Sequence, residues 1–120
     1  MNKQREIFIP QVVLVPQRAP DSVIEKFTSY RDAVLWCWAN RVNTGQGEQT
    51  DQAIFANWVG MHSPHMSRCV NPNTKAPMDM PIDHKSDFER YTGWLAITQW
   101  LCKKDGITPM EWVLEDRRVA

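Results

Sequence analysis

No apolar run in this chain approaches the roughly 18 residues that a membrane-spanning helix needs, so no membrane segment is expected. Its start, MNKQREIFIPQ, is charged and then only briefly apolar, too short a pattern for a secretory signal. Cysteine is scarce and odd in number: Cys37, Cys69 and Cys102 lack metal-finger spacing, which points to a reduced, cytoplasmic protein. The 5 glycines build no phosphate-binding loop. No serine–histidine–acid order and no paired-carboxylate site stands out either. The expectation is therefore a protein that is not an enzyme, with no cofactor, metal or small-molecule ligand. An excess of charge is also missing, since 14 basic residues meet 14 acidic ones. That balance counts against a strongly non-specific nucleic-acid binder. The distribution is uneven, though: residues 1–75 carry eight basic and six acidic side chains, and residues 76–120 carry six and eight. At 120 residues the chain is long enough for one domain with a core and too short for two comfortable ones.

What the chain does have is a stretch built like two short helices with a turn between them, Gln52 to Asn71, QAIFANWVGMHSPHMSRCVN. Ala53, Phe55, Ala56 and Val59 make a small apolar face, with Ala56 small enough to let another helix approach. Gly60 can take the left-handed backbone that ends the first helix. Ser63 can cap the second, and Pro64 can take its first position, where a missing N–H costs nothing. That helix runs to Val70 and stops at Asn71–Pro72, because proline disfavours helix in the residue before it. This is the layout of a helix-turn-helix, whose second helix enters the DNA major groove.

The pattern QAxFAxxVG followed by MxSPHMSRCVN resembles the helix-turn-helix of the Cro and lambda-repressor family. Gln52, Ala56, Gly60, Met66, Ser67, Arg68 and Asn71 fall in register with it, over about a sixth of the chain. A looser likeness follows it. FERYTGWLAITQWLCKKDG is similar to the part after the helix-turn-helix in small regulators of temperate phages and mobile elements.

The flanks supply the scaffold such a motif requires. Residues 1–20 read as an extended N-terminal arm, with Val12 to Val15 able to form a single strand that Pro10 confines to an edge. It either packs over the helices or pairs with its copy in a second subunit. Residues 21–120 read as one helical domain. Val23, Ile24, Phe27, Tyr30, Val34, Cys37 and Trp38 recur at helical spacing, with a cap at Asp21 or Ser22 and a break near Thr28–Ser29. Trp36 and Trp38 read as core. Thr50 or Asp51 can cap the first motif helix. PNTKAPMDMPIDHKS reads as a long loop. Helices follow over about residues 83–117: a short one ended by Thr92–Gly93, an amphipathic one with Trp94, Leu95, Ile97, Trp100 and Leu101 ended by Gly106, and a last one opened by Thr108–Pro109. The fold expected is all-α, a compact five- to six-helix lambda-repressor-like domain with an extended arm.

The resemblance implies two sets of DNA contacts. Gln52, Asn71 and Lys75 match places that touch phosphate and set register. With Met66 and Cys69 pointing inward, Ser63, Pro64, His65, Ser67 and Arg68 face the bases. Arg68 can reach guanine O6 and N7 with two hydrogen bonds, and the Pro64 ring can contact a thymine methyl. The plainer alternatives are a solvated Arg68 and ordinary helix-end roles for Gln52 and Asn71. His62, His65 and Cys69, at i, i+3 and i+7, have the spacing of a metal site, but a fourth ligand is missing and Cys69 is needed by the core. The reading is a sequence-specific transcription regulator, repressor or activator, of phage or mobile-element type, binding palindromic double-stranded DNA as a homodimer. The alternative is a protein-interaction or replication/recombination accessory module on the same scaffold.

Overall fold

The computed structural model describes residues 10–43 and 47–107. It is all-α: α1 (Asp21–Ile24), α2 (Tyr30–Ala39), α3 (Glu48–Val59), α4 (Ser63–Val70), α5 (Lys85–Thr92) and α6 (Ala96–Asp105), with one 3-10 turn at Ile82–His84. The expected helix after Thr108–Pro109, with Trp112 and Leu114, lies outside the described residues. Among the described residues no helix is long and apolar enough to cross a membrane.

α2 packs against α6, α4 and α5, while α3 packs on α4 and α5. The start of α2 is set locally. Ser29 Oγ accepts the Asp32 N–H at 3.1 Å, while Asp32 Oδ2 accepts the Thr28 N–H at 2.8 Å, a reciprocal cap that stops any helix from running through 28–29. The expected break is there. The expected Asp21 or Ser22 cap is not: Pro20 stands at that position, and its carbonyl takes the Val23 and Ile24 N–H groups instead.

The core gathers Ala33, Val34, Cys37 and Trp38 of α2 with Phe55, Met66, Cys69, Phe88, Tyr91 and Ile97. Trp38 stacks nearly parallel on Phe88 and Tyr91, at 6.2 and 6.1 Å between centroids. Phe55 is completely enclosed and lies edge-on to Phe88. Burial of such a side chain is worth roughly 2–3 kcal/mol. Trp36, expected in the core, is only half-buried and meets Trp94 edge-to-face at 5.0 Å at the rim.

Among the described residues, from Pro10 on, the arm contains no strand. Val13 N–H donates to Arg90 O, and Gln17 pairs with both sides of the α5–α6 corner through Gly93 O and the Leu95 N–H. Its partner is thus a turn, and only an isolated bridge, Gln17 to Trp94, results. At the end of the arm, Gln99 forms two hydrogen bonds with the Ala19 backbone, at 2.7 and 2.9 Å. Between these anchors the arm bends outward at Leu14 and Val15, which stay about 80% exposed. The described part of the arm therefore packs over helices, as the sequence allowed, but its apolar bend at Leu14 and Val15 faces water.

Candidate nucleic-acid interface

α3 and α4 are joined by three residues, Gly60, Met61 and His62. Gly60 has φ 78°, and the Met61 N–H returns to Ala56 O at 2.7 Å, closing the end of α3. A residue with a Cβ would be strained there, which explains why glycine ends this helix. Met66, Cys69 and Val70 of α4 are buried against the core, as expected of Met66 and Cys69. Ser63, Pro64, His65 and Arg68 are exposed, and Ser67 is half-buried.

Two details of the expected helix ends change. α4 begins at Ser63, so His62 occupies the cap position, Pro64 is the second helical residue, and no side chain caps the terminus. α3 begins at Glu48 after Gly47, four residues before Gln52, so Gln52 is not at the helix terminus and neither Thr50 nor Asp51 is its cap. The cause is Asp51. Its carboxylate is buried and takes Arg41 Nη2 at 2.8 Å, which puts it inside the first turn.

The expected contact residues divide into two groups. Gln52, Ser63, Pro64, Ser67 and Asn71 line a cleft of about 1050 Å³ between α2, α3 and α4. His65, Arg68 and Lys75 are not among its lining residues. Arg68 leans toward the 72–81 loop that carries Lys75, with Nη1 3.9 Å from Met78 Sδ.

Charge separates the groups as well. In the cleft, Lys26 and Arg41 are opposed by Asp32 and Glu48. Arg41 is committed to Asp51 and to Glu48 Oε1 at 3.3 Å, and lies 4.2 Å over the Trp38 ring. Burial works against the Glu48 carboxylate, but hydrogen bonds from Trp38 and Gln52 and the Arg41 charge together hold it below the usual carboxylate range. Gln52 thus gives its amide to Glu48 Oε2 at 3.0 Å, where a phosphate clamp would need it free. Asn71 uses Oδ1 to accept the Asn73 N–H at 2.9 Å. The exposed cations flanking α4 are Arg68 and Lys75, outside the cleft.

His62 and His65 meet edge-to-face at 4.9 Å on the surface, whereas Cys69 is fully buried. Burial pushes the Cys69 thiol up to about 11, against the Arg31 charge that lowers it. The three do not converge, and among the described residues no three His, Cys, Asp or Glu side chains gather as metal ligands.

Sequence reasoning missed the α2 wall of the cleft and the role of Arg31. Nothing local marks Arg31, whose partners lie 37 to 47 residues further on. The Ser29–Asp32 spacing, which fits a reciprocal cap, is a local signal that could have placed the start of α2. No protein-family model, curated protein or solved structure matches the chain.

Proposed function

We propose that the protein is a sequence-specific DNA-binding transcription regulator of phage or mobile-element type, with α4 as its recognition helix. The observation that carries this reading is the geometry around Gly60. A three-residue turn with one left-handed glycine presents a short helix whose inner face is core and whose outer face offers Ser63, Pro64, His65 and Arg68. That outer face suits base contact. Arg68 reads guanine, with His65 and Ser67 beside it, and Lys75 supplies phosphate contact next to them. Gln52 and Asn71 contribute less to phosphate binding than their register implied, because their side chains are already engaged.

The active form in this reading is a cytoplasmic homodimer on a palindromic operator, its recognition helices about 34–36 Å apart. The outward bend at Leu14 and Val15 is its candidate contact surface among the described residues. Zero net charge accords with a binder that depends on base reading more than on bulk attraction.

Selection of duplexes from a random-sequence pool tests the proposal, followed by Arg68→Ala on the selected site. Wild type should enrich one palindromic motif. Arg68→Ala should lose about 1–3 kcal/mol of affinity, chiefly at one guanine, with its melting temperature kept. No enrichment and no binding at low salt by folded protein would sink the reading. One observation favours a second reading, a protein-interaction or replication/recombination accessory module. The cleft is charge-balanced and walled by Phe27, Leu35 and Trp36 as well as by polar groups. Biological activity indifferent to Arg68→Ala would favour it.

A further inference from the structure

Arg31 lies on α2, and its guanidinium is aimed at the backbone carbonyls at the end of α4. Nη1 donates to Arg68 O at 3.0 Å, Cys69 O at 3.4 Å and Met78 O at 3.2 Å, and Nη2 donates to Asn71 O at 2.9 Å. The first two and the last are carbonyls at the C-terminal end of α4, where the helix leaves acceptors unpaired and a positive charge is favourable. Met78 O belongs to the far side of the loop that follows. The same two strands of chain also meet directly, since the Met78 N–H donates to Arg68 O at 3.3 Å.

One planar cation therefore closes a loop whose ends are Asn71 and Met78 and whose interior holds Lys75. Inside it, the Asn73 and Thr74 N–H groups donate to Asn71, and the Ala76 N–H donates to Thr74 Oγ1 at 3.2 Å. Lys75 is thus bracketed by bonded neighbours on both sides while remaining exposed. A lysine at position 31 would keep the charge but lose the fork that spans four carbonyls on two segments.

We infer that Arg31 is a positioning residue for DNA binding, clamping the 71–78 loop to the end of α4 so that Lys75 is held ready beside the recognition helix for a backbone phosphate. This rests on the DNA-binding reading above and adds a residue that never touches DNA. A preorganised lysine needs no loop ordering on binding, so its phosphate contact is made in full.

The test is a salt series on the duplex selected from the random-sequence pool, with wild type, Arg31→Lys, Lys75→Ala and the double variant, each checked for folding by thermal melt. Each phosphate contact adds about 0.9 to the slope of log affinity against log salt. Arg31→Lys and Lys75→Ala should each lower that slope by about one, the double variant no further, and base preference should not move. A residue that served only the fold would weaken binding at every salt and leave the slope alone. An unchanged slope in either single variant, or slope losses that add in the double variant, would overturn the inference while leaving the DNA-binding reading intact. Failure of wild type to select any duplex overturns both, and is distinguished because wild type itself is then silent. Should Arg31→Lys not fold, two glycines inserted between Thr74 and Lys75 keep the clamp and displace the lysine. That variant should show the same loss of slope, and an unchanged slope counts against the inference.

Discussion

Two places in this protein use the same local device and put it to opposite ends. α3 and α4 are separated by Gly60, Met61 and His62, and α5 and α6 by Gly93, Trp94 and Leu95. Both spacers open with a left-handed glycine, at φ 78° and 87°. At the first, the glycine is exposed and a Cβ would meet nothing among the described residues. The helix that follows has no side-chain cap. At the second, the glycine is buried, and a Cβ would come 3.0 Å from Val42 Cγ1. The following helix is capped from α5 by Glu89, which accepts the Thr98 N–H and hydroxyl at 2.7 Å each and Lys85 Nζ at 3.1 Å. Identical turn chemistry thus gives a presented helix in one case and a locked corner in the other. What surrounds the turn decides which.

The largest expected effect falls on the locked corner. Glu89→Ala removes the acceptor of the Thr98 N–H at the buried end of α6 and leaves Lys85 Nζ with Thr98 Oγ1, at 2.6 Å, but no carboxylate, and urea unfolding should show a loss of roughly 3 kcal/mol. A loss below about 1 kcal/mol would mean that the two corners are alike after all. Next comes the glycine pair. Gly60→Ala should cost about 1 kcal/mol for the left-handed backbone alone, and Gly93→Ala roughly 2–3 kcal/mol because Val42 must also give way. Parallel melts of both variants test this, and a Val42→Ala background should narrow the gap between them.

The smallest effect contrasts the buried cap of α6 with the exposed cap of α2. Above all the Thr28 N–H, opposed by partial burial, holds the Asp32 carboxyl below its ordinary 3.8. A depressed carboxylate stabilises the fold above that value and loses its contribution as pH falls through the lower folded value. Asp32→Asn should therefore cost under about 1 kcal/mol at neutral pH and flatten the decline in melting temperature below about pH 4. An acid limb identical to wild type would show the cap to be inert.

The comparison also explains what could be read from the residues alone. Helix ends marked by Gly60, Gly93 and Gly106, and the break at Thr28–Ser29, were legible because each is set by its own few residues. The inward Met66 and Cys69 were legible because spacing alone assigns them a side. The start of α3 was not, since Asp51 resembles a cap until Arg41, two residues past the end of α2, holds it inside the helix. Trp94 and Leu95 read as helix, but Trp94 bridges Gln17 and α6 starts only at Ala96. The run Val12–Val15 had strand composition, and its backbone bonds with a helical corner instead of another strand. Of the expected contact set, the outward residues of α4 were legible from periodicity. The engagement of Gln52 by Glu48 and the clamp by Arg31 were not, because they depend on which helices become neighbours.

The hydrogen-bonded pair between Ala19 and Gln99 joins residues 80 positions apart. On a ribosome adding about 5–20 residues each second, the arm emerges on the order of ten seconds before its docking partner exists. Through that interval Val12, Val13, Leu14 and Val15 have neither the corner at Gly93 nor the amide of Gln99 to hold them. The arm therefore cannot dock until the α5–α6 corner has formed, although it is made before any of the described helices.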